Sequence, residues 1–491
     1  MRTVAAGDDL QATLDAARPG DELVLAAGER YVGNFVLPKK PGAGWITLRS
    51  SAMDKLPAEG ARVQLAHAAA MPKLIAPNAR PALAAAPGAG FYRVVGLEIA
   101  PAEDVDYHFG LVALGGGHTN VSEAPHDLIF DRVFVHGHPR AALKRGFELN
   151  SAATVIANSR IADCHVEGQD AQAVAGWNGP GPYKLLNNYL EGSGENVMFG
   201  GADPRVPDLV PADIEIRGNH FFKPLAWRAD EPAFAGRRWT VKNVLELKNA
   251  RRVWIEGNVL EYCWVHGQVG FAVLVTPRNQ DGKAPWCTVE DVTFVNNLVR
   301  HCSSGVSILA EDNNHPSDTA KRLLFRNNLF EDINRTRFGG DGRLVQILSP
   351  HRPVTELTFE RNTLLHGGRG NTFVCLDGKG KVVQRFTFRG NLVTRGQYGL
   401  HGSRGTWRTG LESYCDGFEF TDNLIIGAGG TKDWPEGNRA ANTVEDVGFE
   451  NPAGGNYRLT PASPFSSATG PGADMDALRN ATAGAITGVW R

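Results

Sequence analysis

Short runs of alternating apolar and polar residues recur along most of the chain, and they recur in one unit. The unit reads apolar-x-apolar-x-x-Asn, followed by a second apolar run. It is seen as YKLLNNYLEG (183–192), DIEIRGNHFF (213–222), RVWIEGNVLE (252–261) and DVTFVNNLVR (291–300). It continues as RLLFRNNLFE (322–331), ELTFERNTLL (356–365), RFTFRGNLVT (385–394) and GFEFTDNLII (417–426). Weaker copies without the Asn are LIFDRVFVHG (128–137) and TVIANSRIAD (154–163). The asparagines Asn188, Asn219, Asn258, Asn297, Asn328, Asn362, Asn391 and Asn423 are separated by 31, 39, 39, 31, 34, 29 and 32 residues. Alternation over four or five residues is a strand signal. Asn also tolerates the left-handed backbone of a tight turn. Between successive copies lies another alternating run, as in FAVLVTP, GVSILAE, LVQILS and TFVCLD. Each period therefore holds at least two strands and no helix-length pattern, which describes one coil of a solenoid.

The pattern predicts an all-β chain, a single right-handed parallel β-helix of about 10 to 12 coils. Coils stacked about 4.8 Å apart bring the equivalent asparagines together as a hydrogen-bonded ladder. An open solenoid exposes strand edges, so its ends need cover. Leu10, Leu14 and Ala17 have helical spacing within Asp9–Ala17, and Arg18-Pro19-Gly20-Asp21 stops the run before the strand Glu22-Leu23-Val24-Leu25. The expected layout is a helical cap and first strand over 1–30, the β-helix over 31–450 and a closing segment over 451–491. Cys164, Cys263 and Cys302 each lie five residues after an equivalent position of the repeat. A buried stack of thiols is expected there, with a Cys263–Cys302 disulfide as the alternative.

The stretch TLDAARPGDELVLAAGERYVGNFVL (13–37) resembles the start of many secreted pectate-lyase-like β-helix proteins, and NYRLTPASP (456–464) resembles their closing segment. In that superfamily the first of these follows a signal peptide. The resemblance therefore implies export, to the periplasm or outside the cell, with the signal peptide removed. It implies a fold far more specifically than a chemistry.

Composition narrows the partners. The formal net charge is -2 and the pI about 6.7, so no global basic field recruits nucleic acid. No run approaches the roughly 18 apolar residues that span a bilayer. None of the six cysteines forms a C-x-x-C pair, which excludes a zinc ribbon or a thioredoxin-type motif.

Alternation sorts strand residues into two faces. Aligning GVSILAE, FAVLVTP and NVLELKN puts Leu245, Leu247, Phe271, Val273, Val306 and Ile308 inside. Glu246, Lys248, Ala272, Leu274, Thr276, Ser307 and Leu309 then point outward, and earlier coils turn Glu148, Asn150, Trp177, Asn196 and Met198 the same way. Glu246 and Lys248, with Arg278 at the end of the next strand, form the most informative cluster. Such residues serve equally well as a solvated surface. Loops add Arg228, Arg237, Arg238 and His266 nearby, and Trp177-Asn178 could stack and bind a sugar or simply pack. Closely placed aspartates of the kind glycoside hydrolysis uses are not evident on the strands. A lyase needs cations to neutralise a uronate carboxylate and a base for the acidified proton, a role Lys can fill.

Here the cluster resembles the chondroitinase B and alginate lyase branch of β-helix enzymes. The resemblance implies Lys248 as base and Arg278 as proton donor, with Asn196 matching an upstream calcium-ligand Asn. It breaks where that branch has two further acidic ligands, since Lys242 and Asn243 stand here, and where Asn279 follows Arg278. Calcium is thus a possible cofactor and the metal ligands are unknown. The expected function is β-elimination on an acidic polysaccharide, with Lys248, Arg278 and Glu246 catalytic. Trp177, Asn178, Asn196, Glu148, Arg228 and His266 are the expected substrate-binding residues. Two alternatives stay open: hydrolysis using Glu148, Glu195 and Glu246, and glycan binding without turnover.

Overall fold

The computed structural model describes residues 1–427, 433–466 and 470–486, and divides into two units, Met1–Val241 and Lys242–Arg491. Both are built from short parallel strands in which each strand pairs with its counterpart one coil along the chain.

In the first unit, sheet A runs from Arg2–Val4 through Glu22–Leu25, Ile46–Ser50, Gly90–Val95, His126–Asp131, Thr154–Ala157 and Tyr183–Leu186 to Ala212–Arg217. Sheet B runs from Arg30–Val32 to His220–Phe222, and sheet C from Phe35–Leu37 through Val112–Gly115, Arg145–Asn150 and Gln172–Gly176 to Glu195–Phe199. The stacked strands thus begin far ahead of residue 128, where the repeat becomes legible. In that early part Gly96 takes the left-handed turn (φ 66°) and Leu97 stands where later coils place Asn. A helix spans Leu10–Ala16, with the Asp9 carboxylate accepting from the Ala12 N–H. Leu10 and Leu14 are buried, and Gln11 bonds both the N–H and the C=O of Val36.

The second unit repeats the arrangement. Sheet A′ runs from Ala250–Glu256 to Cys415–Thr421, sheet B′ from Val259–Cys263 to Arg439–Ala441, and sheet C′ from Leu245–Leu247 to Leu400–Gly402. Its interior is filled in register. Phe294, Phe325, Phe359, Phe388 and Phe420 are successive Cα partners, so one repeat position becomes a column of rings. Phe325 and Phe359 lie 4.6 Å apart and almost parallel.

The turn between sheets explains the recurring Asn. Asn188 donates its amide to Asn219 Oδ1 (3.0 Å) and to the Ile156 carbonyl (2.8 Å). In the second unit the same contact links Asn258 to Asn297 (2.9 Å), Asn297 to Asn328 (3.2 Å) and Asn328 to Asn362 (2.9 Å). It continues through Asn391 and Asn423 to Asn438, which no copy of the repeat marks. In the weaker copy Ser159 substitutes, its N–H donating to Asn188 Oδ1. The left-handed residue is not this Asn but the one before it: Asn187, Gly218, Gly257, Asn296, Asn327, Arg361, Gly390 and Asp422 all have φ between 53° and 65°. The in-line Asn is selected for its side-chain amide, which serves backbone groups that the turn would strand.

All six cysteines are buried free thiols. Cys263 and Cys302 are Cα partners, but their thiols donate to the carbonyls of Lys242 and Arg300, so the disulfide alternative is set aside. The C-terminal segment runs back along the flank of sheet B′. Met475, Leu478 and Ala485 cover Val259, Leu298 and Leu329, while Val447 and Phe449 cover Leu365, Leu392 and Leu424. Residues 428–432, 467–469 and 487–491, including part of the expected closing segment, lie outside the described residues. No helix among the described residues is long and apolar enough to cross a membrane.

Candidate functional site

Strand Leu245–Leu247 opens sheet C′. Leu245 and Leu247 pair with Val273 and Val275, and these with Val306 and Ile308, so the aliphatic rows point inward and Glu246 points out. Glu246 is nonetheless only 3% exposed. Its carboxylate accepts from Asn243 Nδ2 and Thr276 Oγ1, both at 3.1 Å, and lies 3.7 Å from Lys248 Nζ. An almost buried anion has to be met this way, because desolvation without partners costs several kcal/mol. The backbone N–H of Arg278 donates to the Lys248 carbonyl at 2.8 Å, which puts the two cationic residues on neighbouring coils. The Arg278 guanidinium pairs with Asp312 Oδ1 at 3.0 Å and also with Asn313 Oδ1. Asp312 is fixed in turn by the Asn279 N–H on Oδ2 (2.9 Å). The sequence therefore brings Glu246, Lys248 and Arg278 together as expected. It understated Asp312, which sets the direction of Arg278. The signal was its place just past the strand Ser304–Leu309, one coil on from Arg278. His266 sits in an exposed turn, its N–H donating to the Gln268 carbonyl.

In the first unit, Phe147 and Leu149 of strand Arg145–Asn150 are fully buried, and Glu148 points the opposite way. Burial pushes the Glu148 carboxyl above the usual carboxylate range, against the pull of Arg145 and Lys144. Gly110 packs beside it, and a Cβ there would lie 2.4 Å from Glu148 Oε1, so a larger residue would push the carboxylate aside. Arg145 was missed in the sequence and organises this face. Its guanidinium lies 4.9 Å from the Phe109 ring and 4.7 Å from the Trp177 ring, and 3.9 Å from Glu148. Cation–π contacts of this kind hold a charge at a fixed place while keeping its donors available. Next to Arg145, Gln172 Nε2 donates to Glu195 Oε2 at 2.7 Å.

Three expected binding residues do not fit that role. Asn178 is fully buried, and both ends of its amide are occupied. Its oxygen accepts from the N–H groups of Arg205 and Val206, and its nitrogen faces the carbonyls of Gly116 and His118. Asn196 is also fully buried, its Nδ2 tied to the carbonyls of Leu190 and Phe222. It braces the backbone. Arg228 is 9% exposed, with its guanidinium on Asp230 (2.6 Å) and Glu231 (3.3 Å), so its charge is answered within its own loop. Trp177 is a partial case, since Arg145 takes one side of its ring. Among the described residues no group of three or more His, Cys, Asp or Glu is placed to hold a metal ion.

No family model and no curated protein matches the sequence. Among solved structures, the family 6 alginate lyase AlyGC aligns with 96% of this chain at 14% identity, with a TM-score of 0.47. The chain spans 58% of that protein's length. An alginate lyase from Paenibacillus sp. str. FPU-7 aligns over 85% of this chain and 98% of its own, at 12% identity and a TM-score of 0.30. A tailspike protein of the E. coli bacteriophage HK620 aligns over 90% of this chain and 68% of its own, at 11% identity and a TM-score of 0.42. These structural neighbours are alginate lyases and a phage tailspike, while the assignment as a parallel β-helix rests on the strand register of the chain itself.

Proposed function

We propose that this β-helix acts on an acidic polysaccharide and cleaves it by β-elimination at the Glu246–Lys248–Arg278 cluster. The observation that supports this reading best is the placing of two cationic residues on neighbouring coils, their backbones joined by Arg278 N–H on Lys248 C=O at 2.8 Å, with Lys248 beside an anchored carboxylate. Arg278 neutralises the uronate carboxylate, which acidifies the proton on the adjoining carbon. Lys248, in its neutral form, takes that proton; the C5–H electron pair becomes the C4=C5 double bond as the C4–O bond breaks, and the departing oxygen keeps that bond's pair and takes a proton from water to become the new hydroxyl. Glu246 orients the Lys248 amine. In the first unit, the separate face of Arg145, Glu148 and Trp177 carries the mixture of ring, cation and carboxyl that sugar hydroxyls use. The helix Leu10–Ala16 is read as the cap of the solenoid, and the column of asparagines as its register clamp.

One observation favours a second reading, glycan binding without turnover: Arg278 is already held by Asp312 and Asn313. The test is to incubate purified protein with alginate, pectate and glycosaminoglycans and to follow the ultraviolet absorbance of unsaturated ends. The reading predicts signal on at least one polymer, lost in Lys248→Ala. Binding without signal supports the second reading, and signal unchanged in Lys248→Ala refutes the assignment of the base.

A further inference from the structure

A cavity lies in the second unit, away from the Glu246–Lys248–Arg278 cluster of sheet C′. It encloses about 630 Å³ over the outer side of sheet B′. Small-molecule pockets run from roughly 300 to 1,000 Å³, so this is room for one or two sugar rings. Its floor is set by strand register. Glu261, Arg300 and Glu331 are Cα partners on three successive strands. Arg300 Nε donates to Glu261 Oε1 at 2.5 Å, and another guanidinium nitrogen lies 3.7 Å from Glu331 Oε1.

The next residue on each strand is Tyr262, His301 or Asp332, with φ of 67°, 58° and 48°. A non-glycine residue held left-handed costs of order 1 kcal/mol, and here it occurs on three adjacent strands. The Tyr262 and His301 rings stack at 5.1 Å, and His301 Nδ1 is 2.8 Å from Asp332 Oδ2. The facing wall is the turn Pro452–Gly454 with Gly455 and Tyr457. The Tyr457 hydroxyl reaches the Glu331 carboxyl, and a Cβ on Gly455 would stand 3.4 Å from Glu331 Oε2.

The charges indicate what this cavity would accept. Arg300 is answered by Glu261. Burial pushes the Glu331 carboxyl up, against the pull of Arg300 and His301. Burial also pushes His366, on the same wall, down to about 4, so it is neutral at pH 7. No net positive charge is left to attract a uronate or a phosphate. The lining is hydroxyl, carboxyl, guanidinium and ring, the set that matches the alternating hydroxyls and C–H faces of an uncharged sugar.

We propose that this cavity is a binding site for a neutral saccharide of one or two residues, held by Arg300, Glu331 and Tyr457 against the Tyr262–His301 pair. The proposal stands apart from the lyase reading, because it uses a different sheet and the opposite charge preference.

The test is ligand-observed NMR followed by calorimetric titration with cellobiose, maltose, lactose and N,N′-diacetylchitobiose, with digalacturonate as the charged control. The site predicts binding of at least one neutral disaccharide, weakened about tenfold (one lost hydrogen bond to a buried partner) in both Glu331→Gln and Tyr457→Phe. Binding in Lys248→Ala is expected to be unchanged. Tyr457→Phe removes a single oxygen and keeps the test decisive if Glu331→Gln fails to fold. Absence of binding to all four neutral sugars, equal binding in a folded variant, or displacement of the sugar by digalacturonate would overturn the proposal.

Discussion

Glu246 occupies an outward strand position and is still almost wholly buried, which makes it the most constrained residue of the cluster. Removing its carboxylate takes an acceptor from Asn243 and Thr276 and leaves Lys248, itself only 12% exposed at the side chain, without that counter-charge. Glu246→Ala is expected to cost about 2–4 kcal/mol in urea unfolding, and Glu246→Gln less than half of that. Asp163, in the first unit, carries a pH effect of its own. Burial first, and then Glu191, push its carboxyl up to about 6. A folded pKa above the unfolded one means that the native state binds more protons, so stability falls as pH rises from 3.8 to about 6 and stays lower above it. With 31% of the side chain exposed, solvent screens the effect to about 1 kcal/mol. Asp163→Asn should remove that slope and raise the unfolding midpoint at pH 7; an unchanged slope would show that Asp163 titrates normally. His165 works in the other direction. Burial pushes it down to about 4, and its contribution is lost as pH falls from 6.5 toward that value.

At the scale of the turn and the strand, Asn328 is the most telling position. Its Oδ1 accepts from the Asn297 backbone N–H at 2.9 Å, and its Nδ2 serves the Phe294 carbonyl and Asn362. Asn328→Ala leaves several buried groups unmet and is expected to destabilise by about 2–4 kcal/mol, read as a lowered melting temperature. Arg361→Gly, at the left-handed position before Asn362, should be close to neutral or stabilising, because glycine adopts that backbone freely. These elements were legible in the sequence because each of these coils spends one Asn on the same backbone problem. Coils before residue 128 were not, because Leu97 occupies the column there and leaves no polar mark. The facing of Glu246, Lys248 and Glu148 was legible from period-two alternation. Arg145 was not, because its position between Phe109 and Trp177 joins residues from different coils that no spacing records. Asn178 and Asn196 misled for a related reason. A polar side chain on a strand, like Asn196, or just past one, like Asn178, looks available until its backbone partners are seen.

Across each unit, a stack of parallel strands places side chains from distant sequence positions side by side, and loops then cover part of that surface. In the second unit the cover is the C-terminal segment over sheet B′. A chain ending before helix Met475–Thr482 would expose Val259, Leu298 and Leu329 and is expected to bind a hydrophobic dye while keeping its β-type circular dichroism. The central claim is that the cluster on sheet C′ breaks glycosidic links by elimination. Mass spectrometry of the products from a defined uronate oligosaccharide tests it most directly. Elimination yields fragments whose masses sum to that of the substrate, one of them with an unsaturated end, and Lys248→Ala abolishes them. Fragments that together carry one added water, or an oligosaccharide recovered intact from every uronate polymer tried, would contradict it.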